Sequence, residues 1–452
     1  MFRLVVCAIV LGAACKGDPP KSETKPAPVV AQPAPDPCKK AEAEGPLRWI
    51  ADDYPAALAC AKQREVPVVI DLWAPWCHTC LSMQTTVMLD PSFAADDPKF
   101  VFLKLDTDRD VNAAPLEKLS ISAWPTFYVI DSGNEAVLAR YVGAASLPQF
   151  HAFLDAGLAH DNPHVLAAQR ALASKDFATA ETELTTALAA ATVATKPELL
   201  NTLILTKHKR GDFAGCVELA EKNLDQIGTS SLASDFLVSA TTCADELKDP
   251  AAQKQMRSDA VKTWQKILAE SKDLSVDDRS DAMASLRETL DKLGDKATAV
   301  KTAEAQRALL DDAAAKAATP LAAMTYNWPR AEVYVYLGVP LELVPALEKS
   351  AQDLPKEYDP RARLGWIYLQ AKDYANAAKW LDEALALVYG PRKGRLLIQR
   401  ADVAAAQRDT ASERRFREQA VKLYEGLPKG QEAPEALAKA KEALAKLTSA
   451  QK

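Results

Sequence analysis

Hydrophobic and polar positions follow two different rhythms along the chain. Between residues 49 and 160, runs of apolar β-branched residues alternate with stretches whose apolar positions recur at helical spacing. Pro67–Trp73 (PVVIDLW) and Lys99–Asp106 (KFVFLKLD) are continuous apolar runs, as strands buried on both faces read. Thr126–Ile130 and Ala136–Val142 flank the turn residues Asp131, Ser132, Gly133 and Asn134, which predicts an antiparallel pair. Helices are predicted over Pro55–Arg64, Cys77–Met88, Ala113–Leu119 and Leu147–Leu158. From residue 161 to 448 only the helical period remains, in Ala/Leu-rich segments with short polar breaks. A repeat runs through it: the spacing of Ala168, Phe177, Ala180 and Leu184 returns at Ile204, Phe213, Cys216 and Ala220. Its clearest unit holds Leu364, Gly365, Tyr368, Tyr374, Ala377, Leu381 and Ala384, and the regularity lapses between about 245 and 345.

The N-terminus adds targeting. Residues 1–14 (MFRLVVCAIVLGAA) carry one Arg, an apolar run and small residues before Cys15, which predicts a short export signal. Residues 15–45, polar and rich in proline, read as an extended tether. The remaining 46–160 and 161–448 are the two folded domains. Composition then removes whole classes of function. The 452 residues carry 55 Lys and Arg against 61 Asp and Glu, a net charge of −6, with no basic block interleaved with aromatics. A nucleic-acid partner is therefore not expected. No internal stretch approaches the roughly 20 apolar residues of a membrane span, which excludes a polytopic transporter. A hydrophobic content of 48% supports packed cores, and only 16 glycines favour helix.

Cysteines change the picture most. Of eight, Cys7 would leave with the signal and Cys15 closes it, so six remain. An even number in an exported chain invites disulfides. Proximity along the chain favours Cys38 with Cys60, Cys77 with Cys80, and Cys216 with Cys243. The first and last pairs would be structural staples.

The middle pair carries chemistry. It lies in Trp73-Ala74-Pro75-Trp76-Cys77-His78-Thr79-Cys80, between a predicted strand and a predicted helix. Cys77 would sit at the helix N-terminus, where free N–H groups and the dipole stabilise a thiolate. Cys80, one turn later, is placed to attack the mixed disulfide that Cys77 forms. A half zinc site is the competing reading, but no second Cys/His pair stands at usable spacing among the five histidines, so no metal is expected.

This segment resembles the thioredoxin superfamily, whose motif W-A-x-W-C-x-x-C it nearly reproduces. Asp71 matches the family's buried acid, Lys104 the lysine beside that acid, and Trp124-Pro125-Thr126 the cis-proline loop. Gly143 and the closing helix match as well. The resemblance implies an α/β thioredoxin fold, a mixed central sheet with flanking helices. It also implies roles: Cys77 as nucleophile, Cys80 as resolving thiol, Asp71 as proton shuttle, Lys104 as its neighbour, and Pro125 positioning the substrate backbone. Trp76, His78, Trp124 and Thr126 would form the substrate surface, and no cofactor is implied beyond the dithiol. The leader Trp49–Ala59 looks like that of the C-terminal domain of DsbD reductases. The Trp at 124 and the dipeptide His78-Thr79 depart from the family pattern.

Two further resemblances complete the reading. Leu11–Cys15 resembles the lipobox of bacterial lipoproteins, which implies lipidation of Cys15 and a periplasm-facing anchor; Lys16 leans toward the outer membrane. The repeat spacing resembles the tetratricopeptide repeat, which implies an all-α solenoid with a concave surface for protein docking. Together they imply an envelope thiol–disulfide oxidoreductase that reduces client disulfides and draws electrons from a membrane redox partner. A disulfide oxidase or isomerase, a repeat-based interaction protein and a copper-handling thioredoxin-like protein remain as alternatives.

Overall fold

The computed structural model describes residues 36–449 apart from Ser122, His160, Asp161 and Ala194. The signal, Cys15 and most of the tether lie outside the described residues. Six strands form one sheet: β1 (Glu42–Glu44), β2 (Leu47–Ala51), β3 (Val68–Trp73), β4 (Val101–Asp106), β5 (Thr126–Ile130) and β6 (Val137–Val142). Their order is β1-β2-β4-β3-β5-β6. The β2–β4 and β3–β4 pairs are parallel; β1–β2, β3–β5 and β5–β6 are antiparallel. Helices α1 (Tyr54–Arg64), α2 (His78–Thr85), α3 (Ala113–Lys118) and α4 (Leu147–Ala159) complete the thioredoxin fold.

Residues 37–44, expected to close the tether, are instead part of this fold. Pro37–Lys40 forms a 3-10 turn, β1 pairs with β2, and Cys38 is bonded to Cys60 of α1. Polar Glu42-Ala43-Glu44 gives no strand signal, because an exposed edge strand buries nothing.

Both faces of the sheet are covered, which explains the unbroken apolar runs. On one face Ile70, Leu72, Leu103 and Tyr128 pack with Ala57 and Cys60 of α1. On the other, Val69, Phe102 and Phe127 pack with Met83 of α2 and Phe150 and Phe153 of α4. Asp71 alternates with Ile70 and Leu72, so it points toward the second face, the side of α2.

Beyond α4 the chain is helical. Pairs such as Pro163–Ala173 with Phe177–Ala189 and Asp359–Gln370 with Tyr374–Leu387 pack as hairpins, a tetratricopeptide-like solenoid. One turn recurs between paired helices: a residue with positive φ, then an Asp whose carboxylate caps the next helix. It appears at Lys175-Asp176, Gly211-Asp212, Gly294-Asp295, Lys372-Asp373 and Arg408-Asp409. The repeat register lapses after 245 because Pro250–Glu270 and Lys296–Lys316 each run to 21 residues.

The Cys216–Cys243 bond ties Phe213–Asn223 to Ser231–Leu247, with both cysteines fully buried and 27 residues apart in sequence. Closing a loop of that length limits the unfolded chain by about 3.5 kcal/mol. The Cys216→Ala/Cys243→Ala double variant is therefore expected to lose about that stability in a denaturant titration. An unchanged midpoint would show the bond to be no staple.

The solenoid curves around the thioredoxin domain. Arg170 Nε donates to Val137 O at 3.2 Å, and Ser231 Oγ to Ala144 O at 3.2 Å. Gln431 Nε2 donates to Thr107 O at 2.8 Å and Arg109 O at 2.9 Å, and the Tyr389 hydroxyl bonds Asp106. Two glycines permit the closest approaches. A Cβ at Gly390 (φ +57) would collide with the Asp108 carbonyl, and one at Gly430 (φ +94) with that of Ala113.

Candidate functional site

The site begins where β3 ends. Ala74, Pro75 and Trp76 turn the chain, and Cys77 (φ −85, ψ 102) caps α2, its Sγ accepting from Cys80 N at 3.0 Å. Cys77 and Cys80 are joined as a disulfide with Cα atoms 5.2 Å apart. Reduced, Cys77 faces the positive end of α2, which favours its thiolate.

Asp71 is 1% exposed. Gln84 Nε2 of α2 donates to its Oδ2 at 2.9 Å, while Oδ1 has no hydrogen-bond partner. Burial pushes the carboxyl up to about 7; the Gln84 bond and the Lys104 charge pull against that rise. Lys104 stands opposite Asp71 in the β3–β4 register, yet its ammonium pairs with Glu44 of β1. Sequence reading missed Glu44, which carries no motif and lies in the expected tether.

The Trp124–Pro125 peptide bond is cis. Trp124 Nε1 donates to Thr107 Oγ1 at 2.9 Å, and its ring meets Trp76 edge-on at 5.1 Å. Both indoles pack on Cys77 and Cys80, which are 5% and 1% exposed. Thr126 corrects an expectation: its side chain is fully buried, and its hydroxyl donates to Ala123 O at 2.7 Å. That hydroxyl is used within the loop rather than presented at its surface.

His78 corrects another. Its Nδ1 is 2.8 Å from Asp277 and its Nε2 is 3.9 Å from Asp281, both on the repeat helix Val276–Leu293. Burial alone would lower the imidazole, but the two carboxylates outweigh it and lift it to about 10. His78 is thus tied to the solenoid by two carboxylates, the ligand atoms of the three side chains lying within 4.8 Å of one another. Trp76 is likewise held from the repeats. Its Nε1 donates to Asp108 Oδ2 at 2.9 Å, Arg392 lies 5.0 Å over its ring, and Arg363 Nη2 donates to its carbonyl at 3.5 Å. Asp277, Arg363 and Arg392 carry no signal in the sequence, since each stands about 200 or more residues from the motif it meets.

A family described as thioredoxin-like matches residues 48–132. Thioredoxin of Haemophilus influenzae is 32% identical over 92 residues, covering 20% of this chain and 79% of that protein. Thioredoxin H-type of Chlamydomonas reinhardtii is 36% identical over 84 residues, covering 18% of this chain and 70% of that one. The chain belongs to the thioredoxin family. The thiol:disulfide interchange protein DsbD of Vibrio vulnificus is 36% identical over 90 residues, 19% of this chain; the match spans only 15% of that protein's length. These relatives support a redox role for the domain. A tetratricopeptide repeat protein from Parabacteroides merdae covers 64% of this chain and 98% of its own, at 14% identity and a TM-score of 0.43. The helical hairpins themselves carry the repeat pattern. Among the described residues, no helix is long and apolar enough to cross a membrane.

Proposed function

We propose that the chain is a thiol–disulfide oxidoreductase of the bacterial cell envelope, anchored through a lipid on Cys15, that reduces disulfides in client proteins. The observation that carries this reading is the Cys77–Cys80 pair at the N-terminus of α2, with Asp71 buried beneath that helix. The Cys77 thiolate attacks one sulfur of the client disulfide, forming a mixed disulfide and releasing the other client sulfur as a thiolate. Asp71, poised near neutral pH, accepts the Cys80 proton. Cys80 then attacks Cys77 Sγ, the second client thiolate leaves, and two electrons have passed to the client. Pro125 positions the client backbone, and the repeats offer docking surface to the client or to a membrane donor that reduces the pair again. Three disulfides support an oxidising compartment. The expected domains are a signal over 1–14, a tether ending near residue 36, a thioredoxin domain to about 160 and repeats to 448.

The reduction potential of the Cys77–Cys80 pair, equilibrated against dithiothreitol, tests the direction. A value at or below about −230 mV supports a reductase. A value above about −150 mV reverses it to disulfide formation or isomerisation. A pair that cannot be titrated leaves the repeats to act as an interaction module.

A further inference from the structure

The indoles of Trp76 and Trp124 face the dithiol, and they also wall a cavity of about 250 Å³ between the thioredoxin domain and the last repeats. Three buried polar atoms on its lining residues have no hydrogen-bond partner: Arg392 Nε, Tyr424 Oη and Gln431 Oε1. Tyr424 is 4% exposed and Gln431 6%. Buried polar atoms are rarely left unpaired. All three belong to solenoid residues that line this one cavity.

Its charge is cationic where the orphans lie. Neither Arg392 nor Arg395, both lining the cavity, has an ion pair among the described residues, and Lys175 adds a third cation. Two acids oppose them. Asp108 already accepts from Trp76, and burial with Asp106 beside it lifts its carboxyl to about 7. Glu432 accepts from Gly430 N at 2.6 Å. The charges of Arg392 and Arg395 act on Asp108, pulling its carboxyl back down, yet Arg392 Nε hydrogen-bonds to neither acid.

We propose that this cavity is a subsite for a carboxylate carried by the disulfide-bearing substrate. Arg392 and the Tyr424 hydroxyl donate to the carboxylate, and Gln431 Oε1 accepts from an N–H beside it. The inference rests on Cys77–Cys80 being the exchanging pair, because Trp76 and Trp124 connect the two places. The carboxylate can come from an acidic residue near the client's cystine or from a small disulfide with a free acid.

The test uses the full chain and two matched pairs of probes. One pair is a cystine peptide with Glu or Gln beside the disulfide; the other is dithiodipropionate against 2-hydroxyethyl disulfide. The acidic member is expected to have a kcat/KM about tenfold higher, from one charge-assisted hydrogen-bond set. That ratio falls toward one in Arg392→Gln, and in Tyr424→Phe, which keeps the ring and its packing. Because a ratio is read, a general loss of activity does not imitate the result. A preference among the peptides alone assigns the carboxylate to a client residue, and among the small disulfides alone to a low-mass thiol. Cystine-free versions of the peptides, followed by tryptophan fluorescence, give the same comparison without exchange. Equal binding of the Glu and Gln versions, together with equal rates on the two small disulfides, overturns the subsite. A preference that survives in Arg392→Gln overturns it too. Preferential binding with no exchange on any probe retains the subsite and removes the redox reading.

Discussion

Replacing Cys80 with Ala is expected to leave Cys77 held in a mixed disulfide with its client, since no internal thiol remains to resolve it. Replacing Cys77 with Ala is expected to abolish exchange, by roughly 10³-fold or more, because the attacking sulfur itself is gone. The two variants separate the roles that α2 gives the pair. Cys77 caps the helix, where its thiolate meets the free N–H groups, whereas Cys80 lies inside it at 1% exposure. Non-reducing electrophoresis and mass spectrometry read the trapped species in Cys80→Ala. Trapping through Cys80 in Cys77→Ala, with equal yield, would overturn the order of attack.

Asp71→Asn is expected to move activity and stability in opposite directions. In the native chain burial holds this carboxyl at about 7, against an ordinary 3.8. The folded state therefore binds a proton more readily than the unfolded state between those values. Native stability falls as pH rises from about 4 to about 7, and below about 4 the two states are equally protonated. Asparagine carries no charge to bury, so the variant should gain up to roughly 4 kcal/mol over the native chain above pH 7. Exchange, by contrast, should slow by about 10²-fold, with loss of the rate inflection near pH 7, because the proton acceptor for Cys80 is missing. Denaturant midpoints at pH 4 and 8, beside a pH–rate profile, check both halves. Parallel losses of stability and rate would make Asp71 a structural residue only.

Much of the thioredoxin domain was legible from sequence. Strands β3 and β4 are buried on both faces, so they must read as continuous apolar runs, and Asp71 stands out because a carboxylate interrupts one of them. The dithiol was legible because its chemistry needs two cysteines one helical turn apart. Edge strand β1 was not, since nothing about it is buried, and with it went Glu44, which takes the ammonium of Lys104. Thr126 illustrates the other kind of failure. Its place after Pro125 suggested contact with substrate, but the turn of the loop directs its hydroxyl to Ala123 O.

The repeats divide in the same way. Helical period and the small residues that let paired helices approach are local properties, and they predicted the hairpins. The positive-φ and Asp turn was present in the sequence too, at positions such as Lys175-Asp176 and Lys372-Asp373. Where the solenoid lies is not a local property. A residue's fate there depends on which surface another domain brings to it. His78 is turned to the solenoid because Asp277, 199 residues later, reaches it, and Trp76 became a wall because Arg363 and Arg392 close over it. The sequence by itself determined the thioredoxin domain, the cysteine pair and the helical repeats, because each follows from periodicity and spacing within a few turns of chain. Only the tertiary structure decided that the repeats pack against His78 and Trp76 beside the dithiol, because contacts across hundreds of residues depend on the accumulated curvature of successive hairpins, which no single stretch encodes.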